Sequence, residues 1–420
     1  MKSVIVVALV CLADLFLWPA TGHCAAGPIP HDAYIWQRAW TEPVRNAIAQ
    51  HATNFTELIA LTAEVSWSKG QPRVTRIALD YAALRATGGS VGLALRIGAY
   101  PGRFRNEGEP ISFLSSLAEG LLAEAKTNQL KVRELQIDFD CAESKLDGYR
   151  VWIEALRKHI SPARLAITAL PSWLNQPAFE RLIEATDGYV LQVHSLERPK
   201  GINSPFALCD PVTARRAVER AGTFSIPFRV ALPTYGYIVA FDGEGRFTGL
   251  SAEGPMKSWP AGTQLKEVSS DPSAMAGLVQ GWTRDRPANF QGLIWYRLPI
   301  SGESLNWPWQ TLSVVMSGKV PHSDIRAVAR YPKPALVEIE LINAGDTDQL
   351  LPAQVAVRWR DARIVASDGL LGFESADAGD RRILFKQHQE KLRLAPGERR
   401  TIGWMRFNKE TEVQSELLSK

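Results

Sequence analysis

The sequence predicts an α/β protein in which a (β/α)8 barrel, or TIM barrel, over residues 28–320 is followed by a small immunoglobulin-like β-sandwich over residues 327–410. Eight short apolar runs alternate with amphipathic helical patterns, which is the repeat of a (β/α)8 barrel. The glycine-rich turn that an open, doubly wound sheet carries early in its chain is not present. Near residue 327 the repeat gives way to short alternating segments separated by turns, which is typical of a sandwich.

The predicted barrel strands are rich in β-branched and aromatic residues and are bounded by turn formers. They span residues 33–40, 58–67, 91–100, 134–140, 164–170, 189–194, 228–232 and 292–298. Helical spacing of apolar residues predicts helices over 43–51, 111–126, 147–159, 176–186, 211–221, 272–284 and 307–317. Residues 68–72 resemble a hairpin tip, which we interpret as an extension of the second strand–helix connection.

The C-terminal segments alternate apolar and polar residues, as half-buried strands do. They span 336–341, 354–359, 383–386, 391–394 and 401–407, and a charged tail follows from residue 410. Across the 420 residues, 48 basic and 44 acidic side chains give a net charge of +4 without a basic cluster. This even distribution argues against a nucleic-acid partner.

The N-terminus predicts export. Lys2 precedes an apolar run over residues 4–17, Pro19 and Gly22 follow it, and small residues suited to cleavage continue to residue 26. We therefore expect a signal peptide over residues 1–26 and a periplasmic or cell-envelope location, or secretion. No later run is long enough to span a membrane, so membrane attachment requires lipidation of Cys24, which His23 precedes where a lipobox has a small residue.

Two cysteines remain in the body of the chain. Cys141 and Cys209 are either a disulfide, which an exported compartment permits, or two buried free thiols. The seven histidines show no zinc-ligand spacing, and we expect neither a metal nor another cofactor.

The fourth predicted strand carries the most informative polar residues. Asp138 and Asp140 are two positions apart, so both side chains point to the same face, and Glu143 follows on the loop. Two carboxyl groups in a barrel mouth suit general acid–base catalysis, because each disfavours ionisation of the other. The alternative is an ion-pair layer in which Arg96 or Arg297 neutralises one aspartate.

Three segments carry a family resemblance. Asp138-Phe139-Asp140 resembles the DxxDxDxE motif of the family 18 chitinase-like glycoside hydrolases, 230–236 is similar to their G-L-P-x-Y-G segment, and 292–295 to their G-x-x-x-W ending. The arrangement also resembles an exported bacterial family known as a domain of unknown function. The resemblance implies a barrel that acts on a polysaccharide, N-acetylated glycans among the candidates, with Trp295 flooring the sugar site.

The chain departs from the family motif at two positions. Leu135 stands where the family has its first aspartate, and Ala142 where it has the catalytic glutamate. Glu143 is one position late, which would turn its side chain to the other face of a regular strand. Either Asp140 is the acid, supported by Asp138 and with Glu143 as an auxiliary acid, or the barrel has lost catalysis.

Further residues are expected to line the mouth. Gln192 and His194 share one face of the sixth strand, and Tyr235 and Tyr237 follow the seventh; each pair either binds a hydroxylated ligand or packs internally. Trp36 and Arg96 complete the predicted binding set. The sequence thus predicts an exported glycoside-hydrolase-like protein; the alternatives are a non-catalytic carbohydrate-binding envelope protein and a protein-interaction module.

Overall fold

The computed structural model describes residues 23–24, 27–194, 199–251, 258–389 and 392–418. Eight parallel strands, each paired with the next, form a sheet that closes where the last strand pairs with the first. These strands are β1 (His31–Ile35), β2 (Glu57–Ser68), β3 (Ser90–Ile97), β4 (Val132–Asp138), β5 (Arg164–Ala169), β6 (Gly188–Gln192), β7 (Phe228–Pro233) and β8 (Phe290–Tyr296). The predicted (β/α)8 barrel is confirmed.

One helix follows each barrel strand. The helices are α1 (Glu42–His51), α2 (Tyr81–Ala86), α3 (Glu109–Thr127), α4 (Leu146–Arg157), α5 (Pro177–Glu184), α6 (Pro211–Ala221), α7 (Pro272–Arg284) and α8 (Trp309–Met316). Asp210 caps α6 by accepting a hydrogen bond from the Thr213 amide at 2.7 Å, as its position before Pro211 suggests. The sequence prediction missed α2, which has six residues and buries only Leu84.

The main core lies between the strands and the helices. Trp152, Trp173 and Trp295 are fully buried there, so a large share of the aromatic content serves packing. A smaller cluster fills the inside of the barrel, with Tyr34 and Ile294 among its members. The two clusters alternate along each strand because successive side chains point to opposite faces.

The floor of the barrel, at the amino ends of the strands, holds a buried ionic group. The Arg229 guanidinium on β7 lies 2.9 Å from Asp32, 3.6 Å from Glu57 and in contact with Glu134. Gly92 on β3 lies against this group, where a Cβ would lie 2.6 Å from Ile59 Cδ1 and 3.3 Å from the Glu57 carboxylate. A cavity of about 320 Å³ opens beside these groups.

Two insertions extend the barrel. The end of β2 pairs antiparallel with Gln71–Arg76, which confirms the predicted hairpin tip. Between β7 and α7, the strands Gly236–Phe241, Phe247–Ser251 and Gln264–Ser269 form a separate antiparallel sheet with Gly236–Phe241 in the middle. The sequence prediction missed this sheet, because its outer strands are largely exposed and lack continuous apolar runs.

Two antiparallel four-stranded sheets follow the barrel and share one core, which confirms the predicted sandwich. Their strands are β9 (Ile325–Lys333), β10 (Leu336–Asn343), β11 (Gln354–Trp359), β12 (Ile364–Gly369), β13 (Phe373–Asp377), β14 (Arg382–Gln387), β15 (Arg399–Phe407) and β16 (Val413–Leu418). One sheet has the order β9-β10-β15-β12 and the other β13-β14-β11-β16. Strand β16 lies beyond the predicted limit of residue 410.

The structure resolves the cysteine alternatives. Cys141 and Cys209 are separate buried thiols, so the second alternative, two buried free thiols, is the one observed. Burial raises the pKa of each thiol to about 12, which keeps both protonated.

The N-terminal predictions fall largely outside the described residues. Of the predicted signal peptide, only the backbone of His23–Cys24 is described, and it pairs with Arg286–Pro287. Among the described residues, none of the helices is both long and apolar enough to cross a membrane. Within the same ranges, no group of three or more His, Cys, Asp or Glu side chains is arranged to hold a metal ion.

Candidate active site

Asp138 is the last residue of β4 and points into the barrel, where its side chain is buried. Its Oδ1 accepts a hydrogen bond from Thr168 Oγ1 at 2.9 Å and a second from Gln192 Nε2 at 3.3 Å. Its Oδ2 lies 3.7 Å from Nε of Arg96. Burial raises the pKa of Asp138 above its usual value, although Arg96 and the two hydrogen bonds oppose the shift.

Asp140 follows just beyond the strand, and its side chain reaches solvent at the mouth. Partial burial, with the nearby charge of Asp138, raises the pKa of Asp140 to about 6, against the opposing effect of Arg96. The two carboxyl groups titrate as a pair, since each charge disfavours the other. A carboxyl group that keeps its proton to about pH 6 has the property of a general acid.

Of the two arginines that could neutralise an aspartate in an ion-pair layer, only Arg96 lies near the pair. Arg96 approaches Asp138, but its side chain stays 40% exposed and its nearest nitrogen lies beyond hydrogen-bond distance. Arg297 is directed elsewhere, to Glu303 Oε1 at 2.9 Å. The aspartate pair is therefore flanked by one accessible guanidinium, and Asp140 remains open to the mouth.

His194 and two tyrosines form the opposite wall. His194 Nδ1 lies 3.3 Å from the Tyr235 hydroxyl, which lies 3.2 Å from the Tyr237 hydroxyl. Burial lowers the pKa of His194 to about 4, so its ring is neutral at physiological pH. Its Nε2 has no hydrogen-bond partner among the described residues. This wall is therefore uncharged, with His194 and Tyr235 buried in it and Tyr237 partly exposed.

Tyr296, at the end of β8, is the aromatic centre of the mouth. Its ring lies between 5.2 and 5.9 Å from those of Trp36, Tyr34, His194 and Tyr235. Trp36 is 2% exposed and packs against this ring, so it supports the ring of Tyr296 from inside the mouth.

Trp295 does not line the mouth, which corrects the expectation that it floors a sugar site. It is fully buried on the outer face of β8, where it donates a hydrogen bond to His31 Nδ1 at 3.1 Å and packs against Trp307. Strand alternation gives the inward direction to Ile294 and Tyr296 instead.

Glu143 stands apart from the aspartates. It begins the short 3-10 turn Glu143–Lys145, is exposed, and accepts a hydrogen bond from Gln176 Nε2 at 2.6 Å. It is not among the charged groups that shift the pKa of Asp138 or Asp140. The structure thus brings Asp138, Asp140, Arg96, Gln192, His194, Tyr235, Tyr237 and Trp36 together, and it leaves Glu143 and Trp295 outside.

The predicted binding set did not include Thr168 or Tyr296. Thr168 lies beside Asp138 because Ile137 pairs with Ile167 between β4 and β5, a register that one sequence does not reveal. Tyr296 was detectable, since residues 294 and 296 share a face whichever face is inward. The family-like G-x-x-x-W pattern favoured its neighbour.

Part of the barrel and most of the sandwich match family models. Residues 109–301 match the family described as Domain of unknown function (DUF3142), and residues 326–408 match Domain of unknown function (DUF8456). No curated protein matches the chain.

Several solved structures match the chain at low identity and with TM-scores below 0.5. The spore cortex-lytic enzyme SleL of Bacillus megaterium QM B1551 has 13% identity over 70% of this chain and 74% of its own, with a TM-score of 0.49. The chitinase from Chromobacterium violaceum has 13% identity over 69% of this chain and 98% of its own, with a TM-score of 0.47. The GH18 chitinase ChiB of Flavobacterium johnsoniae has 13% identity over 69% of this chain and 94% of its own, with a TM-score of 0.44.

Proposed function

We propose that this chain is an exported glycoside-hydrolase-like enzyme that cleaves a polysaccharide by carboxylate acid–base chemistry. The observation that carries the proposal is the pair of Asp138 and Asp140 at the carboxyl end of β4, one buried and hydrogen-bonded, the other open to the mouth. The carboxyl ends of barrel strands are where such enzymes place their catalytic groups.

In this proposal Asp140 is the general acid. Its proton passes to the glycosidic oxygen as the bond from that oxygen to the anomeric carbon breaks, and the electron pair of the bond stays on the oxygen. Water then adds to the anomeric carbon, and the proton that it loses is taken up by the Asp140 carboxylate, which restores the acid. Asp138, whose charge faces the same space, stabilises the positive charge that develops on the sugar ring.

The walls of the mouth suit a carbohydrate. Tyr296 and Tyr237 are partly exposed and present an aromatic ring and a hydroxyl group, while the neutral His194 and Tyr235 are buried next to them. Aromatic faces next to polar tips fit sugar rings, which have apolar faces and hydroxyl edges. Arg96, partly exposed, is placed to contact a polar substituent of the same ligand.

A second candidate is a non-catalytic carbohydrate-binding protein of the cell envelope. The observation that favours it is Ala142 at the position of the family's glutamate, together with the separation of Glu143 from the aspartates. In that case the mouth would bind the glycan without cleaving it.

The test is release of reducing sugars from a panel of chitin, chitosan, peptidoglycan, cellulose and xylan. We expect the unchanged protein to cleave at least one of them. Asp140→Asn should lower kcat on that glycan by about 100-fold or more, the usual contribution of a general acid. Asp147→Asn is the matched control, because Asp147 is an exposed carboxylate on α4 that contacts Arg181.

The outcomes separate the candidates. Binding of a glycan without turnover would favour the second candidate and contradict the first. Turnover that survives Asp140→Asn would overturn the role of Asp140. Glu143→Gln should leave turnover within about twofold, because that carboxylate lies outside the pair.

The export proposal rests on the N-terminal sequence pattern and has its own test. Expression of the full chain followed by cell fractionation should place a shortened product, without the N-terminal segment, outside the cytoplasm. A full-length cytoplasmic product would contradict it.

A further inference from the structure

The hydrogen bonds to Asp138 are unevenly distributed over its two oxygens. Thr168 Oγ1 and Gln192 Nε2 both donate to Oδ1, at 2.9 and 3.3 Å. Oδ2 accepts no hydrogen bond from a described residue and faces Arg96 at 3.7 Å. One oxygen is thus held by neutral donors from two neighbouring strands, and the other faces the mouth.

Asp140 has a different environment. Within the described ranges, no side-chain or backbone group donates a hydrogen bond to its carboxyl group. The charge of Asp138 favours the neutral form of Asp140, and Arg96 is the cation that opposes it. The two carboxyl groups therefore differ in hydrogen-bond support although they share a face and a cation.

We infer that Thr168, with Gln192, is a positioning residue that keeps Asp138 as the ionised member of the pair, so that the shared proton rests on Asp140. The inference rests on the proposed acid–base role of the pair and assigns what fixes that role. A hydroxyl or amide hydrogen directed at a carboxylate oxygen stabilises its charged form.

Two features favour the neutral form of Asp138 instead, namely its deeper burial and the negative charge of Glu64. Glu64 on β2 is a second negative charge near Asp138, and Arg96 faces both aspartates. Tyr34 and Tyr149 lie near the pair from β1 and α4, and burial raises the pKa of each well above its usual value, so both are neutral. The donors on β5 and β6 therefore remain the groups that favour charge on Asp138 alone.

The same geometry predicts that Thr168 influences the proton distribution between the two aspartates more than Gln192 does. The Thr168 contact is shorter than the Gln192 contact, and Thr168 is buried whereas Gln192 is partly exposed. Removal of the Thr168 hydroxyl should therefore change the proton distribution more than removal of the Gln192 amide. Without the hydroxyl, Asp138 retains the proton to higher pH and Asp140 ionises at lower pH.

The experiment is a carbon-13 NMR titration of the aspartate carboxyl groups in the full chain, with signals assigned by Asp138→Asn and Asp140→Asn. We expect Thr168→Val to lower the midpoint of Asp140 by about one pH unit, the effect of one lost hydrogen bond to a carboxylate. Thr168→Ser should restore the midpoint, and Gln192→Leu should shift it less. Thr186→Val is the matched control, since this buried threonine donates to the Ile183 carbonyl before β6.

Unchanged midpoints in a folded Thr168→Val protein would overturn the inference and leave Thr168 a packing residue. An equal shift in Thr186→Val would also overturn it. If Thr168→Val does not fold, an unmoved titration in Gln192→Leu overturns the inference, because that side chain lies at the edge of the mouth. The titration does not depend on turnover: shifted midpoints in a protein that cleaves no glycan support the positioning role and contradict the proposed catalysis.

Discussion

Two identical side chains, Asp138 and Asp140, acquire different properties from their surroundings. Asp138 ends β4 inside the barrel and is held by Thr168 and Gln192, whereas Asp140 lies past the strand end and meets solvent. Burial and repulsion act on both, but hydrogen-bond donors act on one. Such a difference assigns separate roles to a carboxylate pair, because a proton donor and a charge stabiliser require opposite protonation states.

The pH dependence of turnover follows from this difference. The pKa of Asp140 is raised to about 6, and the active form of a general acid is the protonated one. We therefore expect kcat/KM to be highest below about pH 6 and to fall about tenfold for each pH unit above it. A pH–rate profile on the cleaved glycan measures this fall, and a rate that rises from pH 6 to pH 8 would contradict Asp140 as the acid.

The neighbours Trp295 and Tyr296 should respond to substitution in opposite ways. Tyr296→Ala removes the ring at the centre of the mouth and should weaken glycan binding about tenfold, while the free energy of unfolding changes little. Trp295→Ala removes a fully buried ring and should lower the free energy of unfolding by about 3–5 kcal/mol. Calorimetric titration with the glycan and urea unfolding separate the two. Equal loss of affinity in both variants would contradict the assignment of faces.

At the scale of elements, the barrel strands were the most predictable part of the molecule. A buried parallel strand is a continuous apolar run, and all eight runs became strands. The sheet that includes Gly236–Phe241 was missed because strands exposed on one side carry a weaker signal, and α2 because it buries one leucine. The aspartate pair was predictable from its spacing. Its partner Thr168 was not, since contacts across strands depend on register.

The floor of the barrel joins four strands through charges that no single strand requires. Arg229 faces Asp32, Glu57 and Glu134, so three carboxylates surround one cation. Burial first, and then the charge of Glu134, raises the pKa of Glu57 to about 7. Because the folded state binds this proton more tightly than the unfolded chain, stability falls as pH rises from about 4.5 through 7.

Glu57→Gln should therefore flatten the pH dependence of stability. The raised pKa of Glu57 lowers the free energy of unfolding by about 3 kcal/mol between pH 4.5 and pH 8. The neutral amide of the variant does not titrate, so this loss does not occur in Glu57→Gln. Urea unfolding at both pH values should show the variant equal to or more stable than the unchanged protein at pH 8. Glu134→Gln is the control with the opposite sign at pH 8, because Glu134 contacts Arg229 and accepts from Gln136. Identical pH dependence in the unchanged protein and Glu57→Gln would contradict the argument.

On the scale of the whole molecule, the barrel and the sandwich have separate hydrophobic cores. No residue of the barrel core belongs to the sandwich core within the described ranges. Polar contacts join them, including Thr311 Oγ1 to the Asp346 carbonyl at 2.6 Å and Arg393 to Glu267 at 3.2 Å. Domains with their own cores and a polar contact unfold as separate cooperative units.

Single alanine substitutions should therefore destabilise or stabilise one unit at a time. A Cβ at Gly403 on β15 would lie 2.1 Å from the buried Phe385 ring and 2.8 Å from the Asp368 carbonyl. Gly403→Ala should therefore lower the free energy of unfolding of the sandwich by about 1–3 kcal/mol. Gly277→Ala, in the interior of α7, brings its new Cβ within 4 Å of no described atom beyond the neighbouring backbone of its own helix. It should raise the free energy of unfolding of the barrel by about 0.5–1 kcal/mol. Differential scanning calorimetry resolves the two transitions. A single transition that moves with both substitutions would contradict separate units and would show that the polar contacts couple the two cores.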